Sequence, residues 1–326
     1  MKKGILRILL GIFLPALGIM AAGCSSSGPI TYKVYTNADS YIAGSRDYSS
    51  EEIKSVDLDW ICGIITVTEN EEGITRITES GTDLPEEQQV RSRVENGVLR
   101  VRFWKSGYTS EVDDEKKHIS LEIPRGTKLE ITSISANVKA TDLTSPEIKI
   151  VSVSGSVSLG NVSSETVNIL TTSGAIKTAD VDSVSANFGS VSGEISSDSV
   201  TATEDADFYT TSGEISISSL SSPEADVKSI SGSIKIASAA VDSLATSSTS
   251  GKVELGVLSG ESYEIKTVSG SVKISLLSDE GATVSFSSVS GSFTAPQHVS
   301  ENDNHVFGQG KTAIKVSTTS GSLTIA

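Results

Sequence analysis

Alternating apolar and polar residues form short runs along most of this chain, and a Ser-Gly step separates successive runs. The glycines of these steps stand 19 to 21 residues apart, except before the last one, where the gap is 30. Ala136 follows a serine and stands 19 residues before the first glycine, so it belongs to the same series. The series consists of Gly155, Gly174, Gly193, Gly213, Gly232, Gly251, Gly270, Gly291 and Gly321.

The type of residue at each position depends on its distance from the glycine. In every repeat the residue two before is β-branched, the residue three before is Ser or Thr, and the residue two after is apolar. The residue three after is always polar. This period of two, rich in β-branched residues, predicts a strand on each side of the step. Glycine between two strands indicates a corner where φ is positive or where two backbones approach closely.

A repeat of this length cannot bury its own apolar face, so successive repeats must stack. We therefore predict an all-β chain folded as a parallel β-solenoid, similar to a β-helix, with coils of about 19 residues. We expect the solenoid to be right-handed. A β-propeller is the main alternative, but its blades run to about 40 residues, twice the period seen here.

The serines and threonines beside the predicted corners have two readings, as nucleophiles or as partners for the backbone. Between 136 and 293 there is no histidine that could act as a base. Hydroxyl side chains at corners commonly bond to backbone groups. We therefore interpret these columns, and the glycines beside them, as structural and predict no catalytic residues among them.

The regular part of the solenoid is predicted to span 131–326, with an insertion at 295–311 that accounts for the gap of 30. Residues 51–130 are predicted to form a decorated N-terminal cap that includes the first coils and protects the end of the array from edge-to-edge pairing. Within the cap, Asn96-Gly97 lies between two alternating runs and predicts a β-hairpin.

Two features of the cap, Cys62 and an acidic cluster, could have either a structural or a chemical role. The segment Leu58–Val67 fits the repeat around Gly63, and Cys62 stands where serine is usual, so we interpret it as a small corner residue rather than a reactive thiol. Three consecutive acidic residues could hold a cation, but their spacing matches no calcium loop, and a solvent-exposed loop is the preferred interpretation. They are Asp113, Asp114 and Glu115.

The N-terminal 23 residues are predicted to be a lipoprotein signal peptide. A basic start is followed by an apolar stretch of 13 residues at 8–20, too short to span a bilayer comfortably. Ala22-Gly23-Cys24 then resembles a bacterial lipobox, although Ala21 stands where leucine is usual. We predict cleavage before Cys24, lipidation of its thiol, and a tether with an N-terminal segment at 24–50. The alternative is an ordinary secreted protein with a cysteine at its cleavage site.

A lipid at Cys24 would place the protein outside the cytoplasmic membrane, anchored to the cell envelope. The sequence contains neither a P-loop nor a dinucleotide-binding fingerprint, so no cofactor is expected. The net charge of −15 makes nucleic acid an unfavourable partner. Two cysteines and three scattered histidines do not supply a zinc or iron–sulfur ligand set, so no metal is expected either.

Several motifs occur together in a fixed order: SVDLDWICGIITV at 55–67, VENGVLRVRF at 94–103, ISLEIPRG at 119–126 and the serial Ser-Gly units. In this combination the chain, over roughly 50–326, resembles the bacterial putative-adhesin family classed as domain of unknown function 4097. The resemblance implies a β-solenoid-like fold and an extracytoplasmic or membrane-associated location. It implies no catalytic residues.

Three functions remain open at this point. The leading hypothesis is a non-enzymatic, surface-anchored protein whose outward polar columns bind an envelope protein or a glycan. The second is a polysaccharide-acting enzyme that uses Glu194 and Glu214, since each directly follows a corner glycine and the two should be neighbours on successive coils. The third is a regulatory accessory lipoprotein that responds to envelope stress.

Overall fold

A computed structural model describes residues 29–80, 84–111, 117–276, 281–296, 299–301 and 304–326. The predicted signal peptide, Cys24 and the acidic residues 113–115 lie outside these ranges. In these ranges there is no helix of the length and apolar character that a membrane crossing requires.

The described chain is built almost wholly of β-strands. Three short 3-10 helices, Ala38–Ser40, Ser50–Glu52 and Glu86–Gln88, lie in its N-terminal part. The strands of that part are β1 (Ile30–Thr31), β2 (Ile42–Ala43), β3 (Arg46–Ser49), β4 (Ser55–Trp60), β5 (Ile64–Asn70), β6 (Ile74–Ser80), β7 (Arg91–Glu95), β8 (Val98–Arg102), β9 (Thr109–Ser110) and β10 (His118–Pro124). The regular array follows with β11 (Lys128–Ser133), β12 (Asn137–Ala140), β13 (Leu143–Ser152), β14 (Val157–Leu159), β15 (Val162–Thr171), β16 (Ile176–Ser190), β17 (Ile195–Thr210), β18 (Ile215–Ser229), β19 (Ile234–Ser248), β20 (Val253–Ser259), β21 (Ser262–Thr267) and β22 (Val272–Ile274). The C-terminal part contains β23 (Ala282–Ser288), β24 (Phe293–Thr294), β25 (Val299–Glu301), β26 (Asn304–Phe307), β27 (Thr312–Thr318) and β28 (Leu323–Ile325).

The strands of the array stack in parallel, each one coil above its neighbour. Ile169 pairs with Phe188, and Phe188 pairs with Phe208, so residues one repeat apart lie side by side. The predicted parallel β-solenoid with coils of about 19 residues is therefore confirmed.

Each coil has three sides. In the coil that contains β16, buried residues alternate with exposed ones, but two neighbouring residues face outward at 179–180 and again at 184–185. The Ser-Gly step provides the third change of direction. We call the side before the step the pre-corner side (186–190 in this coil) and the side after it the post-corner side (195–197 in the next).

The one repeat of 20 residues has its extra residue at a bend. The parallel register between β17 and β18 shifts between Thr201 and Asp205, and it is regular on either side. Because a bulge at a bend does not disturb the ladder on the flat sides, the inward columns stay aligned above it.

The interior is a continuous apolar column. Phe188 and Phe208 are almost fully buried, and their rings stack with centroids 5.1 Å apart. Val227, Thr246 and Ile265 continue this column on the next three coils, and each is at most 2% exposed. Burial of this column is the main stabilising contribution to the stack.

Antiparallel strands terminate the parallel stack at both ends. At the N-terminal end, β7 pairs with β8 and β6 pairs with β10, both antiparallel. The β7–β8 hairpin turns at Asn96 and Gly97, both with positive φ, as the Asn-Gly signal predicts. At the C-terminal end, β26 pairs antiparallel with β23 and with β25. These strands occupy edges that would otherwise be free to pair with another chain.

The coils at both ends do not stack in chain order. The last coil of the sequence, β27 with β28, lies between the coil of β21 and β22 and the coil of β23 and β24. Near the N-terminus, β4 and β5 lie directly below β11 and β12, although some 60 residues separate them in the chain. Of the strands between them, β8 and β10 form the coil beneath β4 and β5. The antiparallel strands β7 and β6 pair with β8 and β10.

Candidate interaction surface

The corner glycines are required by close stacking of backbones. At each of the nine glycines, an added Cβ would lie 1.7 to 2.1 Å from the carbonyl oxygen of the corner residue one coil below. For Gly155 that residue is Ala136, and for every other one it is a glycine of the series. None of the nine has φ in the left-handed region. Of the two reasons that the sequence left open, close approach is therefore the one that applies.

Ala136 can carry a methyl group because the corner beneath it has a different shape. That corner is Gly63, which has a φ of +84°, unlike the glycines of the array. The carbonyl of Ile61 accepts hydrogen bonds from both Ser135 and Ala136, at 2.7 and 3.2 Å. The methyl group of Ala136 is fully buried there.

Several hydroxyls of the buried column beside the corners bond to the backbone. Ser190 Oγ accepts from the amide of Gly193 at 2.7 Å, and Thr171 Oγ1 donates to the carbonyl of Gly174 at 2.6 Å. The same Thr171 hydroxyl also lies 3.0 Å from Ser190 Oγ one coil above. The hydroxyls of Thr171 and Ser190 therefore stabilise the corner, in keeping with the structural interpretation of this column.

Outside the corner, two exposed rows run along the stack. The serine before each glycine is exposed in every repeat. Beside it runs the β-branched row, in which Val153, Ile230, Val268 and Val289 are 41%, 53%, 49% and 85% exposed. Threonines at equivalent positions interrupt these apolar residues, so the row is mixed rather than a continuous apolar strip.

Glu194 and Glu214 lie on the post-corner side. Ile195 donates its amide hydrogen to the carbonyl of Glu214 at 2.9 Å, so the two glutamates stand on adjacent coils, as the sequence predicts. Both are exposed. Their neighbours in this column are Ala175 below and Ser233 above, and these small side chains form no cleft around them.

An aromatic residue lies on the outer surface of the pre-corner side. Tyr209 stands in an outward column directly above Gly189, which pairs with Leu170 below it. A Cβ on Gly189 would lie only 2.2 to 2.4 Å from Cζ, Cε2 and Oη of the Tyr209 ring. The ring therefore lies along the sheet and covers Gly189. Leu170, although it faces outward, is only 1% exposed.

Polar groups flank this ring along the neighbouring outward column. Asn187 Nδ2 donates to Asn168 Oδ1 at 3.3 Å, and Asp207 continues the column directly above Asn187. Burial, together with the neighbouring carboxylates of Asp226 and Asp205, raises the pKa of Asp207 to about 6. Burial and then the charge of Asp207 raise the pKa of Tyr209 to about 12. Tyr209 is therefore uncharged at neutral pH.

A buried ion pair lies in the N-terminal cap. The ammonium group of Lys117 contacts the carboxylate of Glu79, and their side chains are 4% and 6% exposed. Lys117 Nζ also lies 4.6 and 5.1 Å from the ring centres of Phe103 and Trp60. Burial lowers the pKa of Lys117, and Glu79 opposes that shift. Cys62 is buried beside this cluster. The arrangement links the cap to the first coils.

The structure can test few of the chemical sites considered from the sequence. Cys24 lies outside the described residues, so its lipidation stays a prediction. In the ranges that the structure describes, no group of three or more His, Cys, Asp or Glu side chains is placed to hold a metal ion.

Sequence reasoning did not identify the arrangement of Tyr209, Gly189 and Leu170. A signal was present, because a glycine inside a strand pattern often marks a site that another group approaches closely. Gly189 is such a glycine, and Tyr209 stands 20 residues after it in the equivalent position of the next coil. Only the stacked register shows that the tyrosine fills the space.

Comparison with solved structures finds several chains that are similar over most of their length. A putative adhesin from Parabacteroides distasonis ATCC 8503 is 11% identical over 87% of this chain and 97% of that one, with a TM-score of 0.47. A putative lipid binding protein from the same strain is 14% identical over 86% and 96%, with a TM-score of 0.44. A putative adhesin from Parabacteroides merdae ATCC 43184 is 14% identical over 87% and 95%, with a TM-score of 0.40.

Likeness at this level carries no argument about a ligand or a partner. No curated protein matches the sequence. A family model described as Toastrack DUF4097 matches residues 64–255 and 185–326, which together include the array and most of the cap. The chain belongs to the Toastrack DUF4097 family.

Proposed function

We propose that this chain is a non-enzymatic binding protein of the bacterial cell envelope. A lipid at Cys24 holds it outside the cytoplasmic membrane, and the outward columns of the solenoid bind a protein or glycan partner, as in adhesion. The observation that carries this proposal is the register of the stack, because equivalent outward residues stand beside one another on consecutive coils. Such a surface is rigid, long and regular, which suits recognition of an extended partner.

The position of the N-terminal segment supports this arrangement. Ile30 of β1 pairs with Ser110 in the cap, so the chain leaves the tether at the N-terminal end of the stack. Eleven corner levels, from Gly63 to Gly291, lie above that end. At about 4.8 Å per coil, the far end of the array stands roughly 50 Å further along the axis. A protein anchored in this way presents its outward columns away from the membrane.

The surface chemistry favours binding over catalysis. Glu194 and Glu214 are adjacent but exposed on a flat side with small neighbours, whereas paired catalytic carboxylates work in an enclosed cleft. In the hydroxyl column, Ser190, Thr210 and Ser248 each accept a hydrogen bond from the amide of their corner glycine. These observations support a scaffold with side chains arranged for contact.

The anchoring is tested in the native cell with the full-length chain. Wild type, Cys24→Ala and the matched control Cys62→Ala are compared by membrane fractionation and by protease treatment of intact cells. We expect wild type and Cys62→Ala to stay with the membrane and to be cleaved from outside, and Cys24→Ala to be released. Protection of the wild type from external protease would contradict the surface role and favour the accessory lipoprotein.

Binding is tested separately, with the detergent-purified full-length protein and isolated envelopes of its own host. We expect the envelopes to retain the protein in a saturable way. Added envelope glycan or envelope protein should compete with this binding. If nothing in the envelope retains the protein specifically, the binding function is wrong even where the anchoring is right.

A further inference from the structure

In β11–β22, within the described residues 128–276, a single aromatic side chain lies on the outer surface. Among the described residues 128–276 the aromatic residues are Phe188, Phe208, Tyr209 and Tyr263. Three of these are at most 1% exposed in the core, and only Tyr209 stands in an outward column. It lies near the middle of the array, on the broad pre-corner side. Tyrosine in such a place is typical of contact sites, because its ring offers apolar area with little loss of rotamer freedom on binding.

The ring of Tyr209 has a prepared support. It lies over Gly189, where any larger residue would collide with Cζ, Cε2 and Oη. Leu170 lies directly below Gly189 and is buried, although it does not belong to the core. We attribute its burial to the ring of Tyr209. Tyr209 itself remains partly exposed. The ring is thus held against the sheet at Gly189, and part of it stays accessible to solvent. We call these three residues the Tyr209 platform.

Beside the platform runs a row of hydrogen-bonding groups. Asn168, Asn187 and Asp207 occupy one outward column on three successive coils, at the strand spacing of about 4.8 Å. The contact between the two asparagines uses one group of each amide and leaves a donor on Asn168 and an acceptor on Asn187. Ser185 donates to Asp205 at 2.9 Å in the next column.

The charge near the platform limits what can bind there. Asp205, Asp207, Glu224 and Asp226 lie on two adjacent coils, and Lys228, which forms an ion pair with Asp226, offsets only part of their charge. A phosphate- or carboxylate-bearing polymer would be repelled at this place. Hydroxyl groups, in contrast, can donate to these carboxylates and to the asparagine carbonyls without adding charge. The surroundings therefore suit an uncharged ligand rich in hydroxyls.

We propose that the Tyr209 platform, with the row Asn168, Asn187 and Asp207, binds the sugar rings of a neutral glycan. The apolar C–H face of a pyranose stacks on the accessible part of the Tyr209 ring, and its hydroxyls bond to the amides and the carboxylate. This inference rests on the proposed binding function and names the ligand class and the place on the surface. A ring that merely fills the space over Gly189 would pack in the same way but bind nothing.

The test uses the full-length protein in detergent and three sets of probes: neutral hexose and N-acetylhexosamine oligosaccharides, uronic acid oligosaccharides, and a lysine-rich peptide. Variants are Tyr209→Ala, Tyr209→Phe and Asn187→Ala, with Lys266→Ala as a control in the same outward column as Tyr209, three coils away. Thermal unfolding is recorded for each variant, because Tyr209→Ala uncovers Leu170.

We expect neutral oligosaccharides alone to bind the wild type. Binding should weaken about tenfold or more in Tyr209→Ala and Asn187→Ala, and should stay within about threefold in Tyr209→Phe and Lys266→Ala. Asn187→Ala keeps the test decisive even if Tyr209→Ala unfolds. Equal binding by wild type and Asn187→Ala, or binding of the lysine-rich peptide in place of the sugars, would overturn the proposal. If envelopes retain the protein but no neutral oligosaccharide binds, this inference is wrong and the broader binding function stands.

Discussion

Replacing Gly232 by alanine tests whether close stacking holds the corners in place. The new Cβ would lie 1.7 Å from the carbonyl oxygen of Gly213 and 2.6 Å from its carbonyl carbon. Both atoms belong to the main chain of the coil below, so no side-chain rotation can relieve the contact. Because non-bonded carbon and oxygen atoms need more than about 3 Å, the two coils must separate at this corner by over an ångström.

The expected cost follows from what that separation disturbs. Ser231 donates to the carbonyl of Thr211 at 2.8 Å, and Ile230 donates to the carbonyl of Thr210 at 3.3 Å. Weakening these two backbone hydrogen bonds costs about 1–3 kcal/mol, and overpacking strain adds about 1–3 kcal/mol. We therefore expect Gly232→Ala to lower the free energy of unfolding by about 2–6 kcal/mol.

The matched control is Gly126→Ala. Gly126 has a φ of +84° but no atom within 4 Å of an added Cβ, so this variant measures left-handed backbone strain without a clash. It should cost about 1–2 kcal/mol. Urea unfolding gives the totals, and hydrogen exchange of peptides around Ser231 gives the local effect, since a stack of repeats can open in part.

Two results would refute the reasoning. One is a Gly232→Ala variant that is no less stable than Gly126→Ala. The other is a loss of stability without faster exchange of the Ser231 amide, since the clash acts at that corner. The first outcome would mean that the stack accommodates a methyl group at the corner, as it does at Ala136, and the second would mean that the loss arises away from that corner.

Three further predictions concern charge and topology. The pKa of Asp207 is raised to about 6, so the folded state binds its proton more tightly than the unfolded chain, and the carboxylate destabilises the fold increasingly as the pH rises through about 6. After allowance for solvent screening, Asp207→Asn should therefore be about 1–2 kcal/mol more stable than wild type at pH 8 and equal to it near pH 4. Urea unfolding measures this, and equal stability of the two proteins at both pH values would contradict it. Lys117→Met should lower the free energy of unfolding by about 3–5 kcal/mol because it leaves the Glu79 carboxylate buried without its ion-pair partner. In thermal unfolding, the double variant Lys117→Met/Glu79→Gln should recover most of this loss. No recovery would show that the ion pair is not the cause. Truncation after residue 310 removes β27 from between β21 and β23, so hydrogen exchange should accelerate throughout 282–288; continued protection of that strand would contradict the stacking order.

The sequence by itself determined the coil. The period of 19 to 21 residues and the alternation about each Ser-Gly step depend only on geometry within one repeat and on the need of each repeat to match the next. The Asn96-Gly97 hairpin followed in the same way, because a two-residue turn with positive φ at both positions is a local preference. These features are short-range, so they can be read without knowing what else is nearby.

Only the tertiary structure decided how the coils are ordered and why particular residues are needed. The insertion of β27 and β28 below β23 and β24 depends on contacts between segments far apart in the chain, and the repeat pattern is the same for either order. The glycines are required by a carbonyl oxygen one coil below rather than by their own φ. The Tyr209 platform likewise arises from residues two repeats apart. In each case the cause is a neighbour placed by stacking, and a neighbour of that kind leaves no local mark strong enough to identify it in advance.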